Sequence, residues 1–273
     1  MKQNRRARTI GWLMVSLVFL SLITVLGFLW KEEALVTDFS RKNLAPSKEY
    51  LFGTDFMGRD MFVRTITGLS LSIRLGVITA AASAVFAGIL GICGAIMGKW
   101  TDAAITFLID LVMGIPHILL LILISYACGK GFWGVVIGIT LTHWTVLARL
   151  IRGEVMQLRQ SVYIQIASHL GINRFQIAIK HMIPHLLPQF FTGLILLFPH
   201  AILHEASITF LGFGLSPEEP AIGVILSESM KYLAMGKWWL ALFPGGMLML
   251  CVVLFHMLGD SICKLLDPAS VHE

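Results

Sequence analysis

The feature that most constrains this chain is an uncharged run at residues 9–30, which is long enough to cross a bilayer as one helix. A transmembrane helix needs about 20 mostly apolar residues. The composition agrees, since 56% of the 273 residues are hydrophobic and 14% are charged, against about 25% charged in soluble domains. We therefore predict an all-α integral membrane protein with six transmembrane helices, at about 9–30, 75–98, 103–127, 132–150, 189–211 and 238–259.

The basic residues orient the chain in the membrane. Four of the first eight residues are Lys or Arg, so we predict that residues 1–8 are cytoplasmic. A cleaved signal peptide is the rival interpretation, but the apolar run is too long and no small-x-small cleavage site follows it. The net charge of +5 is interpreted as membrane anchoring and not as nucleic-acid binding. Both termini are then cytoplasmic. The chain divides into a first span at 9–30, an extracytoplasmic loop at 31–74, a transmembrane core at 75–266 and a cytoplasmic tail at 267–273.

The cytoplasmic segment 161–188 is too polar to span a membrane, yet it has the signals of ordered structure. Residues 161–170 predict a short helix that ends at Gly171, which can adopt the left-handed conformation. Asn173 can cap a second helix. Two prolines, Pro184 and Pro188, are expected to break the chain before the fifth span. Such a surface helix can receive force from another protein, although an ordinary amphipathic connector lying in the membrane interface explains the same pattern.

This segment resembles the coupling loop, or EAA loop, of the permease subunits of ABC importers. Gln165, Ile166 and Ala167 stand at the Glu-Ala-Ala position, and Gly171 is the loop glycine. The chain departs from the pattern in two places, because Gln165 replaces the acidic residue and Ile166 replaces an alanine. The resemblance implies that Gln165, Ala167, Leu170 and Gly171 couple this chain to an ATPase.

Other segments resemble the peptide/nickel branch of these permeases. FGTDFMGRDMFVR, at residues 52–64, matches the pattern GTDxxGRDxxxR, which includes Asp55, Gly58, Arg59 and Asp60. ITFLGFG at 208–214 is similar to the family segment after the fifth span. GDSICKLLDP at 259–268 is similar to the family's C-terminal pattern. The resemblance therefore extends from about residue 50 to the end of the chain.

The resemblance implies the type I ABC-importer permease fold, with a cytoplasmic coupling helix, in a bacterial cytoplasmic membrane. The sequence contains no GxxxxGK[ST] phosphate loop. We therefore predict a transport subunit without an ATPase site of its own, which binds no cofactor. The implied partners are two ABC ATPase subunits that bind ATP and Mg, a homologous second permease subunit, and an extracytoplasmic solute-binding protein.

The histidines bear on what is carried, for which short peptides, opines and nickel, free or chelated, are the candidates. His200 and His204 are four residues apart on the fifth span and share one face of a helix. Neutral imidazole is a good ligand for Ni(II). His143 and Glu205 join them as candidates for the substrate path, although Glu205 points about 100° away from His204. The same histidines can instead form hydrogen bonds between helices.

Two histidine patterns, His-Trp before Ala-Arg on the fourth span and His-x3-His on the fifth, resemble the nickel-type second permease subunit. We therefore predict a nickel permease, with His200 and His204 as candidate metal ligands. A dipeptide or oligopeptide permease of the same family is the alternative. His204-Glu205 begins the metalloprotease motif HExxH, but Ile208 occupies the place of the second histidine. A channel or a secondary transporter is a more distant alternative, and neither needs the helix–Gly–helix loop.

Overall fold

A computed structural model describes residues 2–266, with side chains for residues 6–265, so the predicted tail at 267–273 lies outside the described residues. The described residues form α-helices joined by loops, and they contain no strand. The helices are α1 Lys2–Leu29, α2 Met61–Ile96, α3 Lys99–Gly114, α4 His117–Ala127, α5 Phe132–Arg159, α6 Val162–His169, α7 Arg174–Ile177, α8 Ile183–Phe210, α9 Ile222–Leu233 and α10 Trp239–Leu266.

Five of the described helical stretches are each long and apolar enough to cross a membrane. The third predicted span, at 103–127, is a broken helix, because α3 and α4 meet at a bend of 100°. The bend follows from Pro116, since a proline disfavours helical geometry in the residue before it, and Ile115 has extended backbone angles. The prediction of six spans is therefore confirmed only if the bent pair counts as one.

The helix that contains the second predicted span begins before that span. Helix α2 starts at Met61, so the last residues of the expected outer loop at 31–74 are helical. The apolar-run criterion missed the first turns of α2 because they carry Arg64 and Arg74. At 36 residues, α2 is about 54 Å long, which exceeds the hydrocarbon thickness of about 30 Å.

The fifth span also differs from the prediction, because the prolines before it do not break the chain. Helix α7 continues through a π-helical segment, Ala178–Met182, directly into α8. Pro184 is the second residue of α8 and directly follows the π-helical segment, where the regular i→i−4 hydrogen-bond pattern is already interrupted. Pro188 lies inside the helix. The surface segment and the fifth span are therefore joined by continuous helix.

Helix α2 occupies the centre of the bundle and packs against α1, α5 and α8. Small residues allow this close approach, as is common between membrane helices. A Cβ atom added at Gly91 of α2 would lie 2.8 Å from the carbonyl oxygen of Ala148 in α5. Ser70 of α2 donates a hydrogen bond of 2.8 Å to the carbonyl oxygen of Thr24 in α1. The bundle's outer surface carries many large apolar side chains, including Phe28, as expected of a surface in contact with lipid.

Candidate functional site

Three histidines from three different helices converge in the middle of the bundle. His117 begins α4, His143 lies in the middle of α5, and His204 lies in α8. Their potential metal-ligand atoms all lie within 4.8 Å of one another. The ring centroids are 4.8 Å apart for His117 and His143, 4.4 Å for His117 and His204, and 4.9 Å for His143 and His204. We call this group the three-histidine cluster.

The local structure orients the His143 ring. Its Nδ1 atom lies 3.1 Å from the carbonyl oxygen of Ile139, one helical turn earlier, and 3.1 Å from Oγ1 of Thr142. A carbonyl oxygen only accepts hydrogen bonds, so Nδ1 carries the proton in this arrangement. The other ring nitrogen, Nε2, then has a free lone pair.

The cluster borders a cavity of about 770 Å³ between α3, α4, α5 and α8. His117, His143, His200 and His204 all line it. The other lining side chains are apolar apart from two threonines of α5, Thr142 and Thr145. Such a cavity, largely apolar with a few convergent polar groups, is typical of a small-molecule site, for which volumes of about 300–1,000 Å³ are usual.

The structure divides the predicted His200/His204 pair. His204 joins the three-histidine cluster, whereas His200 lies outside it as an exposed residue that lines the same cavity. His117 takes the place that we expected for His200. Pro116 was a visible signal of a break in the third span, but only the tertiary structure shows that the bend brings His117 to the other two histidines.

Glu205, a predicted substrate-path residue, does not line the cavity. Its side chain is fully buried, and its Oε1 accepts a hydrogen bond of 3.0 Å from the Thr209 hydroxyl. The Thr209 oxygen in turn accepts a bond of 3.2 Å from the backbone N–H of Leu215. Glu205 therefore organises the end of α8 and the turn after it, which corrects its expected role.

The segment 161–188, which we expect to be cytoplasmic, has the predicted helix–Gly–helix form. Helix α6 ends before Gly171, whose φ of +82° lies in the left-handed region. The Asn173 side chain accepts a hydrogen bond of 3.3 Å from the backbone N–H of Phe175 and caps α7. Gln165, Leu170 and Gly171 are exposed. Ala167 is only 9% exposed and packs into the core, so it positions α6 and does not present a contact surface, which corrects its expected role.

Three apolar residues lie on the exposed face of α6 and its C-terminal end, and of these the resemblance implied a coupling role only for Leu170. Val162, Ile166 and Leu170 recur every four residues and share one face of the helix. Phe175 of α7, which follows the turn at Gly171, is also exposed. We call these four residues the α6–α7 face. Exposed apolar clusters mark interaction surfaces, and the period of four was visible in the sequence.

The outer segment is held to the bundle by a cluster of buried charges. The Asp55 carboxylate accepts bonds of 2.6 Å from Nε of Arg59 and 2.6 Å from Nη1 of Arg64. Arg64 also donates bonds of 3.0 Å to Glu228 of α9. Two guanidinium groups thus face two carboxylates, and we call the four residues the outer charge cluster.

The remaining residues of the GTDxxGRD motif shape the turn that carries Asp55. Gly58 has a φ of +77°, and an added Cβ would collide with the backbone carbonyl of Asp38. Asp60 caps α2 by accepting a bond of 2.7 Å from the N–H of Phe62. Thr54 accepts a bond of 2.9 Å from the N–H of Leu44. The motif is therefore a structural device that starts α2 and ties the outer loop to α9.

These features define an ABC-importer permease: a bundle of apolar helices with a surface helix between the fourth and fifth spans. The chain belongs to the family described as "Binding-protein-dependent transport system inner membrane component", which matches residues 83–271. It is therefore a multi-pass inner-membrane protein. A solved structure of an inward-facing MetNI methionine ABC transporter has the same fold, with a TM-score of 0.62 at 16% identity, covering 76% of this chain and 98% of that one.

Relatives in the family are named as peptide permeases. The dipeptide transport system permease protein DppC of Bacillus subtilis is 30% identical over 253 residues, which are 92% of this chain and 79% of that protein. The oligopeptide transport system permease protein OppC of the same organism is 32% identical over 236 residues, which are 85% of this chain and 77% of that protein. The family is thus the peptide/nickel group of ABC permeases, and these relatives agree with the peptide alternative better than with nickel.

Proposed function

We propose that this chain forms half of the transmembrane pathway of an ATP-driven importer of short peptides. The observation that carries the proposal is the similarity, over most of the chain, to permeases named for dipeptide and oligopeptide transport. The cavity of about 770 Å³ supports it, since its apolar lining and few polar groups suit a small organic molecule. Nickel was our first expectation, but the relatives' names favour peptides as the cargo.

The mechanism that we propose is alternating access driven by partner subunits. Two ABC ATPases bind ATP and Mg, a homologous permease supplies the other half of the pathway, and an extracytoplasmic solute-binding protein delivers the cargo. The ATPases press on the α6–α7 face, which includes Leu170, and on Gln165 and Gly171 beside it. Because α7 runs into α8 without a break, a displacement of this surface is carried into the fifth span. Both termini lie in the cytoplasm in this arrangement.

Nickel import is the second candidate function. The observation that favours it is the three-histidine cluster on the wall of the cavity. Imidazole nitrogen is a good ligand for Ni(II), Zn(II) and Cu(II). A cavity that carries only unmodified peptides does not require three converging imidazoles.

Uptake measurements separate the two candidates. Source cells with the gene intact, deleted, or restored on a plasmid are given a radiolabelled dipeptide or radiolabelled nickel. We expect deletion to abolish dipeptide uptake and the plasmid to restore it. Loss of nickel uptake with unchanged peptide uptake would refute the peptide proposal and support the second candidate.

A further inference from the structure

We propose that His117, His143 and His204 bind a divalent first-row transition-metal ion on the wall of the cavity. The proposal rests on the cavity being the translocation pathway of the permease, and it holds whether the main cargo is a peptide or a metal. It names a ligand set that spans three helices, in place of the pair on one helix that the sequence suggested.

The hydrogen bonds of the cluster leave the right atoms free for metal binding. Because Nδ1 of His143 faces the Ile139 carbonyl oxygen at 3.1 Å, Nε2 is the unprotonated nitrogen available to a metal. Histidine ligands in metal sites commonly bond a backbone carbonyl through the second ring nitrogen in this way. Nδ1 of His117 is buried and has no hydrogen-bond partner in the described part of the chain. A buried polar atom without a partner is costly, and a bound metal ion would satisfy it.

The spacing of the nitrogens requires only a local adjustment. Metal–nitrogen bonds of about 2.0–2.1 Å place tetrahedral ligand atoms roughly 3.3 Å apart, whereas the present atoms lie within 4.8 Å of one another. His117 and His204 are partly exposed, while His143 is buried. Rotation of the two partly exposed rings toward His143 is the adjustment that the proposed site requires.

The types of ligand atom in the cluster indicate which ions the site binds. Three imidazoles and no carboxylate suit nickel, cobalt, zinc or copper, whereas calcium and magnesium prefer oxygen ligands. Glu205, the carboxylate next to His204 in sequence, bonds Thr209 and does not line the cavity. The three imidazoles are neutral ligands, and a water molecule or an anionic donor from the cavity would complete the coordination of the ion.

Cobalt provides a direct test of the site. The complex of this chain with its permease and ATPase partners is purified without the solute-binding protein and incubated with Co²⁺, and excess metal is removed. We expect the visible absorption bands of cobalt bound by nitrogen ligands, and cobalt retained in the complex. His117→Ala, His143→Ala and His204→Ala should each abolish the bands.

His256→Ala is the matched control, because His256 is an exposed histidine of α10 that does not line the cavity. We expect this variant to keep the cobalt bands. If the buried His143 variant fails to assemble, His117→Gln carries the test, since His117 is partly exposed and glutamine roughly preserves its size. Equal cobalt binding by the wild type and the three cluster variants would overturn the proposal.

Peptide uptake by the same variants separates this proposal from the proposed function. Wild-type complex that binds no cobalt while the cells still import dipeptide would overturn the metal site and leave the peptide function standing. In the opposite outcome, the purified complex binds cobalt only when the three-histidine cluster is intact, and cells without the gene still import dipeptide. That result would overturn the peptide function and support the metal site.

Discussion

Replacing Asp55 by Asn tests whether the outer charge cluster holds the outer segment to the bundle. The substitution keeps the shape of the side chain and removes its charge. The amide oxygen can still accept from the backbone N–H groups of Met57 and Arg59, which lie 2.8 Å and 2.9 Å from Oδ1 of Asp55. The amide NH₂ group then faces the guanidinium groups of Arg59 and Arg64, so donors oppose donors.

The expected cost follows from the burial of the cluster. The side chains of Asp55 and Arg64 are 4% and 1% exposed. Removing one partner of a buried ion pair costs about 3–5 kcal/mol. Glu228 remains 3.0 Å from Arg64 and is itself partly exposed, so we expect the lower end, about 3 kcal/mol. A loss of this size lowers the midpoint of thermal unfolding by about 6–12 °C.

The assay heats the purified, fluorescently tagged complex and measures the assembled fraction by size-exclusion chromatography. Asp38→Asn is the matched control, because Asp38 pairs with Arg41 in the same outer segment but is exposed. Exposed pairs contribute little, so its midpoint should match the wild type. Adding Arg59→Met to Asp55→Asn restores the charge balance of the cluster and should recover part of the loss. If Asp55→Asn is no less stable than Asp38→Asn, the reasoning from buried charge is wrong.

Two glycine substitutions test the proposed coupling role of the turn at Gly171 and the packing of the bundle at Gly91. Gly171→Val should lower dipeptide uptake per ATP hydrolysed in an assembled complex, because a left-handed backbone costs a side-chain-bearing residue about 1–2 kcal/mol. Gly153→Val is the control and should keep the wild-type ratio, since Gly153 is at a helical position with open space around it. Equal ratios in the two variants would remove the coupling assignment. Gly91→Ala should destabilise the complex by about 1–3 kcal/mol, because the added methyl group overpacks against Ala148. Gly246→Ala is the control and should leave the stability unchanged, since nothing lies near its added Cβ. A Gly91→Ala complex as stable as the wild type would contradict the close packing of α2 and α5.

Much of the architecture was predictable because it depends on local chemistry. Long apolar runs predicted the spans, and the glycine and asparagine signals predicted the turn at Gly171 and the cap at Asn173. Errors arose where a residue's surroundings differ from what its type suggests. Arg64 hid the first turns of α2 because it is charged yet buried in an ion-pair cluster. Pro184 does not end the helix because it follows a π-helical segment, where the regular hydrogen-bond pattern is already interrupted.

The sequence by itself thus determined a membrane bundle of the ABC-permease family and the conformation of the segment around Gly171 and Asn173, since these follow from hydropathy, capping and motif spacing along the chain. Only the tertiary structure decided which side chains meet. His117 reaches His143 and His204 because a span breaks at Pro116 and three helices pack together, and Ala167 turns inward because α6 buries one face. These contacts join residues far apart in sequence, and no local pattern specifies them.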